Sequence, residues 1–332
     1  MDKIIELSKN ERLKLFQDAS AALNIPVAMV EKDFWVCWIL GKLFGNKDLS
    51  NILLFKGGTS LSKCYRLIER FSEDLDIILA KEEVLGKDSD LFKLSKKKQK
   101  EFSKEIHTLT AKYISTKLKD KITAILGETV KVYTDDEYEK EDDNTNLHIV
   151  YPKTVTDKYL RPDILLEIGI MSAWVPNELC KISSYLEDAY PELEFPTTII
   201  PTIKAQRTFW DKATILHREF YRPETTNTPA RYSRHYYDLY KMSCSPIKDT
   251  ALADLELLSD VVDRRDKLYH CTWACYDLAK LGSMRLLPNS NNENLVKKDY
   301  QIMQEMIFGN IPDWEEILSS LHKLEDEINS MY

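Results

Sequence analysis

The stretch FKGGTSLSKCYRLIERFSEDLDIIL, residues 55–79, decides how this chain is read. Gly57 and Gly58 follow a short apolar run, residues 59–70 read as a helix, and Asp74 and Asp76 stand two apart in the strand-like DLDIIL, 74–79. Side chains alternate along a strand, so the two aspartates share a face while Leu75 and Ile77 turn to the core. Carboxylates on an otherwise buried strand are costly unless a cation meets them. Magnesium suits that need, since one or two carboxylates plus substrate phosphates typically hold it. Gly57 and Gly58 let the backbone turn tightly against a phosphate, and the helix start beyond offers free N–H groups and a positive dipole end. Thr59 and Ser60 add hydroxyl donors. A glycine pair or a D-x-D alone is weak, because solvated aspartates are common; the order of strand, glycine turn, helix and acidic strand points to a metal carrying a nucleoside triphosphate.

Outward from this stretch, residues 3–24 and 28–45 read as helices separated by NIPV, with Pro26 placed at a helix start. NILLF (51–55) is a short buried strand, 89–126 a long helical stretch, and TVKVYT (129–134) and NLHIVYP (146–152) strands of a hairpin around the acidic DDEYEKEDDN. DILLEIGI (163–170) is a further strand. After the proline-marked FPTTIIPT (195–202), residues 203–221 form an amphipathic helix, 231–244 begin another, and 249–330 are helical around a loop near 286–294. Strands concentrated between 51 and 170, with helices on both sides, indicate an α+β core with helical additions.

Composition sets outer bounds. The 332 residues are 43% hydrophobic and 30% charged, enough to bury a sizeable core, and no low-complexity tract interrupts them. A net charge of −8 argues against coating nucleic acid by bulk electrostatics but leaves room for a local basic stripe. The run Lys96-Lys97-Lys98 with Lys100 and Lys104 reads as a solvated helix face, with nucleic-acid contact as its alternative. MDKIIELSKNERLKL has no apolar signal-peptide core, and the most apolar segment, 34–44, is too short to span a bilayer and contains Lys42, so a cytoplasmic, membrane-free protein is expected. Six scattered cysteines read as reduced core residues; only His270 to Cys275, HCTWAC, resembles a metal cluster, since helical spacing would place Cys271 and Cys275 on one face.

FKGGTSLSK followed by RFSEDLDI, together with EKDFWVCWIL (31–40), FWDKATILHREF and RYSRHYYDLYKM, resembles the AbiEii/AbiGii toxin family over roughly residues 30–243. These are nucleotidyltransferases of abortive-infection (phage-defence) and toxin–antitoxin systems, similar to the MenT toxins and, more broadly, to DNA polymerase β. The resemblance implies a nucleotidyltransferase-like mixed β-sheet flanked by helices: a core over 1–200 with the N-terminal helices, and a helical C-terminal domain over 201–332 completing the active-site cleft. The fifteen residues between Gly58 and Asp74 exceed the superfamily's usual spacing and imply a longer intervening helix.

By position, the resemblance makes Gly57, Gly58, Thr59 and Ser60 the glycine turn and Asp74 and Asp76 the Mg²⁺ (or Mn²⁺) pair. Lys212 matches the helical lysine that meets nucleotide phosphates, with Lys204 as rival, and Asp238 in YYDLY the downstream aspartate that supports the lysine or the acceptor. A compact ammonium there would neutralise charge on the triphosphate as pyrophosphate leaves. Ser72 resembles the serine that MenT-type toxins carry beside the pair and could touch a phosphate or hydrogen-bond at the strand start. Glu167, inside ILLEIGI, is a candidate third metal ligand or base, with an ion pair to a core-edge arginine as the alternative. Arg70 is a phosphate-contact candidate, and Arg231 and Arg234 either bind nucleotide or RNA or position Asp238. The implied function is NMP transfer from an NTP to RNA, the tRNA 3′ end above all, with an AbiEi-like antitoxin as partner; a protein-modifying NMP-transferase and a catalytically silent nucleotide-binding regulator are the alternatives.

Overall fold

The computed structural model describes residues 1–86, 96–139, 145–158, 160–226, 228–269 and 271–332, with the side chains of 96–103 outside it. The start of the expected 89–126 helix, most of the lysine run's side chains, part of the acidic hairpin tip, and His270 therefore lie outside the described residues. The chain divides into two compact units, one of residues 1–64 and 71–203, the other of 65–70 and 204–332.

The first unit is built on a mixed seven-stranded sheet of order β3-β4-β5-β2-β1-β7-β6. Its strands are β1 (Leu53–Lys56), β2 (Leu75–Leu79), β3 (Lys131–Thr134), β4 (Asn146–Val150), β5 (Ile164–Gly169), β6 (Asn177–Ile182) and β7 (Thr198–Ile203). β2 runs antiparallel to β1 and parallel to β5. After a single helical turn at Asp2–Ile5, the first long helices are α1 (Lys9–Leu23) and α2 (Val27–Gly45). The expected single helix over 3–24 breaks because Ser8 caps α1 through a capping box with Glu11. α2 is apolar on nearly every side and lies buried along most of its length, as a helix without a polar face must.

One expectation about the sheet fails. β6 and β7 extend it beyond residue 170, and β7 carries Pro201, a residue that argues against a strand. β7 forms nonetheless, with its full antiparallel ladder on β6 and a parallel pairing to β1 at Phe55 and Thr202. Burial explains the outcome: Ile203 packs with Leu54 and Ile78 against Trp174, so apolar burial outweighs the missing N–H.

The helix after the glycine turn, α3 (Gly57–Lys63), is also shorter than the expected 59–70. The extra residues do not lengthen it; 65–70 leave the first unit and join the second. Further along, the helix Lys96–Tyr113 continues through a π-turn at Ile114–Leu118 into Lys119–Leu126.

The second unit is helical, with α4 (Ala205–Phe220), α5 (Ser233–Ser243), α6 (Leu255–Leu268), α7 (Glu293–Met303) and α8 (Trp314–Ser330) as its main elements. Residues 271–275 are not helical and Cys275 has left-handed backbone, so the spacing that would have put Cys271 and Cys275 on one helix face does not arise.

Candidate active site

β2 presents its acids by strand alternation. Phe71, Glu73, Leu75 and Ile77 are buried, whereas Ser72, Asp74 and Asp76 are half-buried on the opposite side. Register places Asp76 between Lys56 of β1 and Glu167 of β5, and Glu167 in turn pairs with Asn146 of β4. In-register neighbours point to the same face, so Lys56, Asp76, Glu167 and Asn146 form a polar row across four strands. The Lys56 ammonium is 3.9 Å from the Asp76 carboxylate, a loose pair with both groups partly open to solvent.

Gly57 is bound to this row by sterics. Its φ of +79° is in the left-handed region, and a Cβ there would lie 2.5 Å from Asp76 Cγ. The glycine turn and the acidic strand are therefore one structure, because the Asp76 carboxylate occupies the space that any other residue at 57 would fill.

The hydroxyls of the turn are used internally. Thr59 Oγ1 donates to the Asp74 carbonyl at 2.5 Å and Ser60 Oγ to the Gly57 carbonyl at 2.7 Å, both deeply buried. The Thr59 bond holds the turn against Asp74, just before β2, and the Ser60 bond closes the turn on itself. Among the described residues no three His, Cys, Asp or Glu side chains are grouped to cage a metal ion. The donor chemistry nonetheless fits magnesium, which prefers hard oxygens and completes its shell with water and phosphate rather than with an all-protein cage.

The second unit contains its own charged centre. Asp238 on α5 is fully buried and accepts from Arg70 Nε at 2.7 Å, Arg70 Nη2 at 2.8 Å and Lys212 Nζ at 2.6 Å. Arg70, a phosphate-contact candidate in sequence, here grips Asp238 with both prongs of its guanidinium. Burial alone would raise the Asp238 carboxyl, but the Arg70 and Lys212 charges hold it far below the ordinary carboxylate range. Lys212, on α4, is also buried, which pulls its ammonium below the usual lysine value despite the Asp238 charge. Lys204 stands outside α4 as its N-terminal cap.

His235 was not singled out in the sequence, yet its Nδ1 lies 3.3 Å from Lys212 Nζ. Burial and the Lys212 and Arg234 charges push it well below the ordinary histidine value, so it is the neutral imidazole. Its position one turn before Asp238, in RHYYD, was the available signal. Arg231 is exposed with φ +63°, its N–H donating to Asp299, which also accepts from Ser233 N–H at the start of α5.

One solved structure similar to the chain is the nucleotidyltransferase toxin MenT4 from Mycobacterium tuberculosis, at 16% identity and a TM-score of 0.40, covering 96% of this chain and 99% of that one. No curated protein matches the chain. The model of the nucleotidyl transferase AbiEii toxins, type IV toxin–antitoxin system, matches residues 38–320. With most of its length inside that match, the chain belongs to the AbiEii family and is a nucleotidyltransferase toxin of a type IV toxin–antitoxin system.

Proposed function

We propose that this toxin transfers an NMP from an NTP to an RNA acceptor, the tRNA 3′ end in particular, with Mg²⁺ (or Mn²⁺) held by Asp74 and Asp76. The interlock of Gly57 with Asp76 carries the reading, since it fixes a carboxylate against the glycine turn at the start of α3. A divalent ion there supplies charge neutralisation of the triphosphate. The acceptor hydroxyl attacks the α-phosphorus, the bond to the β-phosphate oxygen breaks, and pyrophosphate leaves. Glu167, in register with Asp76, is a third oxygen donor or the base that takes the acceptor proton. Gly57, Gly58 and Ser72 line the turn side, with Thr59 and Ser60 acting through the bonds that hold its shape. In the second unit, Lys212, paired with Asp238 beside Arg70, is the phosphate-binding group. A cytoplasmic setting and a cognate AbiEi-like antitoxin complete the proposal; family membership supports an antitoxin and an NTP substrate.

The test is incubation of the purified protein with each of four α-labelled NTPs and either total RNA or total protein. Label in RNA, concentrated in tRNA and lost with EDTA or in Asp76→Asn, is the expected result. Label in protein would establish protein modification instead, and toxicity that survives Asp76→Ala would establish a silent binder.

A further inference from the structure

The charged triplet Glu31-Lys32-Asp33 lies in α2, among Met29, Val30, Phe34 and Trp35, and all three side chains are at most 1% exposed. Three consecutive buried charges in an apolar helix need specific partners. Each has a different one within the first unit. Glu31 accepts from the Thr154 and Val155 N–H groups at 2.6 and 3.0 Å. Asp33 accepts from Tyr185 N–H at 2.6 Å and is ion-paired to Lys63 at the end of α3. Lys32 donates to Glu73 Oε2 at 2.7 Å and to the Arg161 carbonyl at 3.2 Å, while Arg161 N–H donates to the same Glu73 oxygen at 2.9 Å. Lys32, Glu73 and the Arg161 backbone thus close a three-membered ring of hydrogen bonds.

The ring sits beside Asp74, the residue just before the β2 ladder. β2 begins pairing at Leu75, so Asp74 precedes the ladder, and its carbonyl accepts from Thr59 Oγ1. Glu73, the adjacent residue, faces the opposite way and is clamped from behind. A buried ion pair is weak evidence for stability, because desolvation offsets most of its attraction, so its use is better sought in position.

We propose that Lys32 and Glu73 are positioning residues for the metal-binding carboxylate of Asp74. The clamp fixes residue 73 and thereby the direction in which Asp74 leaves the strand. The inference rests on the metal reading of Asp74 and Asp76 given above.

The test is Mn²⁺ binding to the full-length protein without nucleotide, followed by electron paramagnetic resonance. The double variant Lys32→Met/Glu73→Gln removes both charges and keeps an amide oxygen for Arg161 N–H. It is expected to unfold at a midpoint close to the parent's and to bind Mn²⁺ about tenfold or more weakly, the usual effect of losing groups that orient metal ligands. Parent-like Mn²⁺ affinity in a folded double variant overturns the inference and leaves the metal reading standing. Parent binding that Asp76→Asn does not change overturns both. Should the double variant fail to fold, Glu73→Asp decides: it keeps the ion pair but shortens its reach, so weaker Mn²⁺ binding supports the clamp and unchanged binding refutes it.

Discussion

Gly57 and Asp76 occupy each other's space: the carboxylate of Asp76 sits where a side chain at 57 would begin, on a backbone whose φ of +79° suits glycine. Gly57→Ala therefore meets two penalties, a left-handed conformation costing about 1–2 kcal/mol and a displaced carboxylate. Nucleotidyl transfer is expected to fall about tenfold or more, with the apparent metal requirement raised, while thermal unfolding shifts by only a few degrees or so. Transfer at the parent rate would show that the Asp76 position is not set by this turn.

The Asp33–Lys63 pair ties α2 to the helix that follows the glycine turn, with the Lys63 ammonium 3.6 Å from the centre of the Tyr185 ring. Asp33→Ala strands a buried ammonium and should cost about 3–5 kcal/mol in denaturant unfolding. Asp33→Leu combined with Lys63→Met should recover most of it, since no charge is then left unpaired. A double variant as unstable as the single would show that the cost is steric.

His148 is buried between two carboxylates, Nε2 to Asp135 Oδ1 at 3.0 Å and Nδ1 to Asp163 Oδ2 at 2.9 Å, with the Tyr138 ring stacked 4.4 Å away and Arg161 3.6 Å from Asp163. Burial opposes its charge, but the bonds to Asp163 and Asp135 prevail and raise the imidazole above 6.5. A raised folded value stabilises fully below the unfolded one and is lost as pH rises through the folded value. The unfolding midpoint should thus decline as pH rises above about 6.5 in the parent, and that slope should flatten in His148→Gln. An identical slope in the variant would remove His148 as its source.

Asp238 has the opposite sign. Its depressed folded value gives stability present above 3.8 and lost as pH falls toward the folded value. Asp238→Asn leaves Arg70 and Lys212 facing an amide and should cost about 3–5 kcal/mol near neutrality. The gap between parent and variant in denaturant midpoints should narrow below about pH 4, where the unfolded parent takes up its proton. A gap that does not depend on pH would mean that the carboxylate charge contributes nothing.

Several features were legible in the sequence because they are local. Alternation around Leu75 put Asp74 and Asp76 on the less buried side of β2, and the glycines marked a turn before it. Periodicity found most helices, and the apolar runs found β1 to β5 within a few residues. Other features depend on residues distant in sequence. Pro201 reads as a strand breaker, and only packing with Leu54, Ile78 and Trp174 makes its segment a strand. Residues 65–70 read as helix, and they leave it to bring Arg70 to Asp238 across 168 positions.

The amino-acid order by itself determined the acidic strand and the glycine turn before it, because each rests on side-chain period or on the backbone freedom of one residue. The tertiary structure decided what the charges do. A buried lysine or glutamate is uninterpretable in a string of letters, since burial makes it costly and only its partner's location makes it useful. The Lys32–Glu73 clamp, the His148 cluster and the Arg70–Asp238–Lys212 centre arise from such long-range meetings.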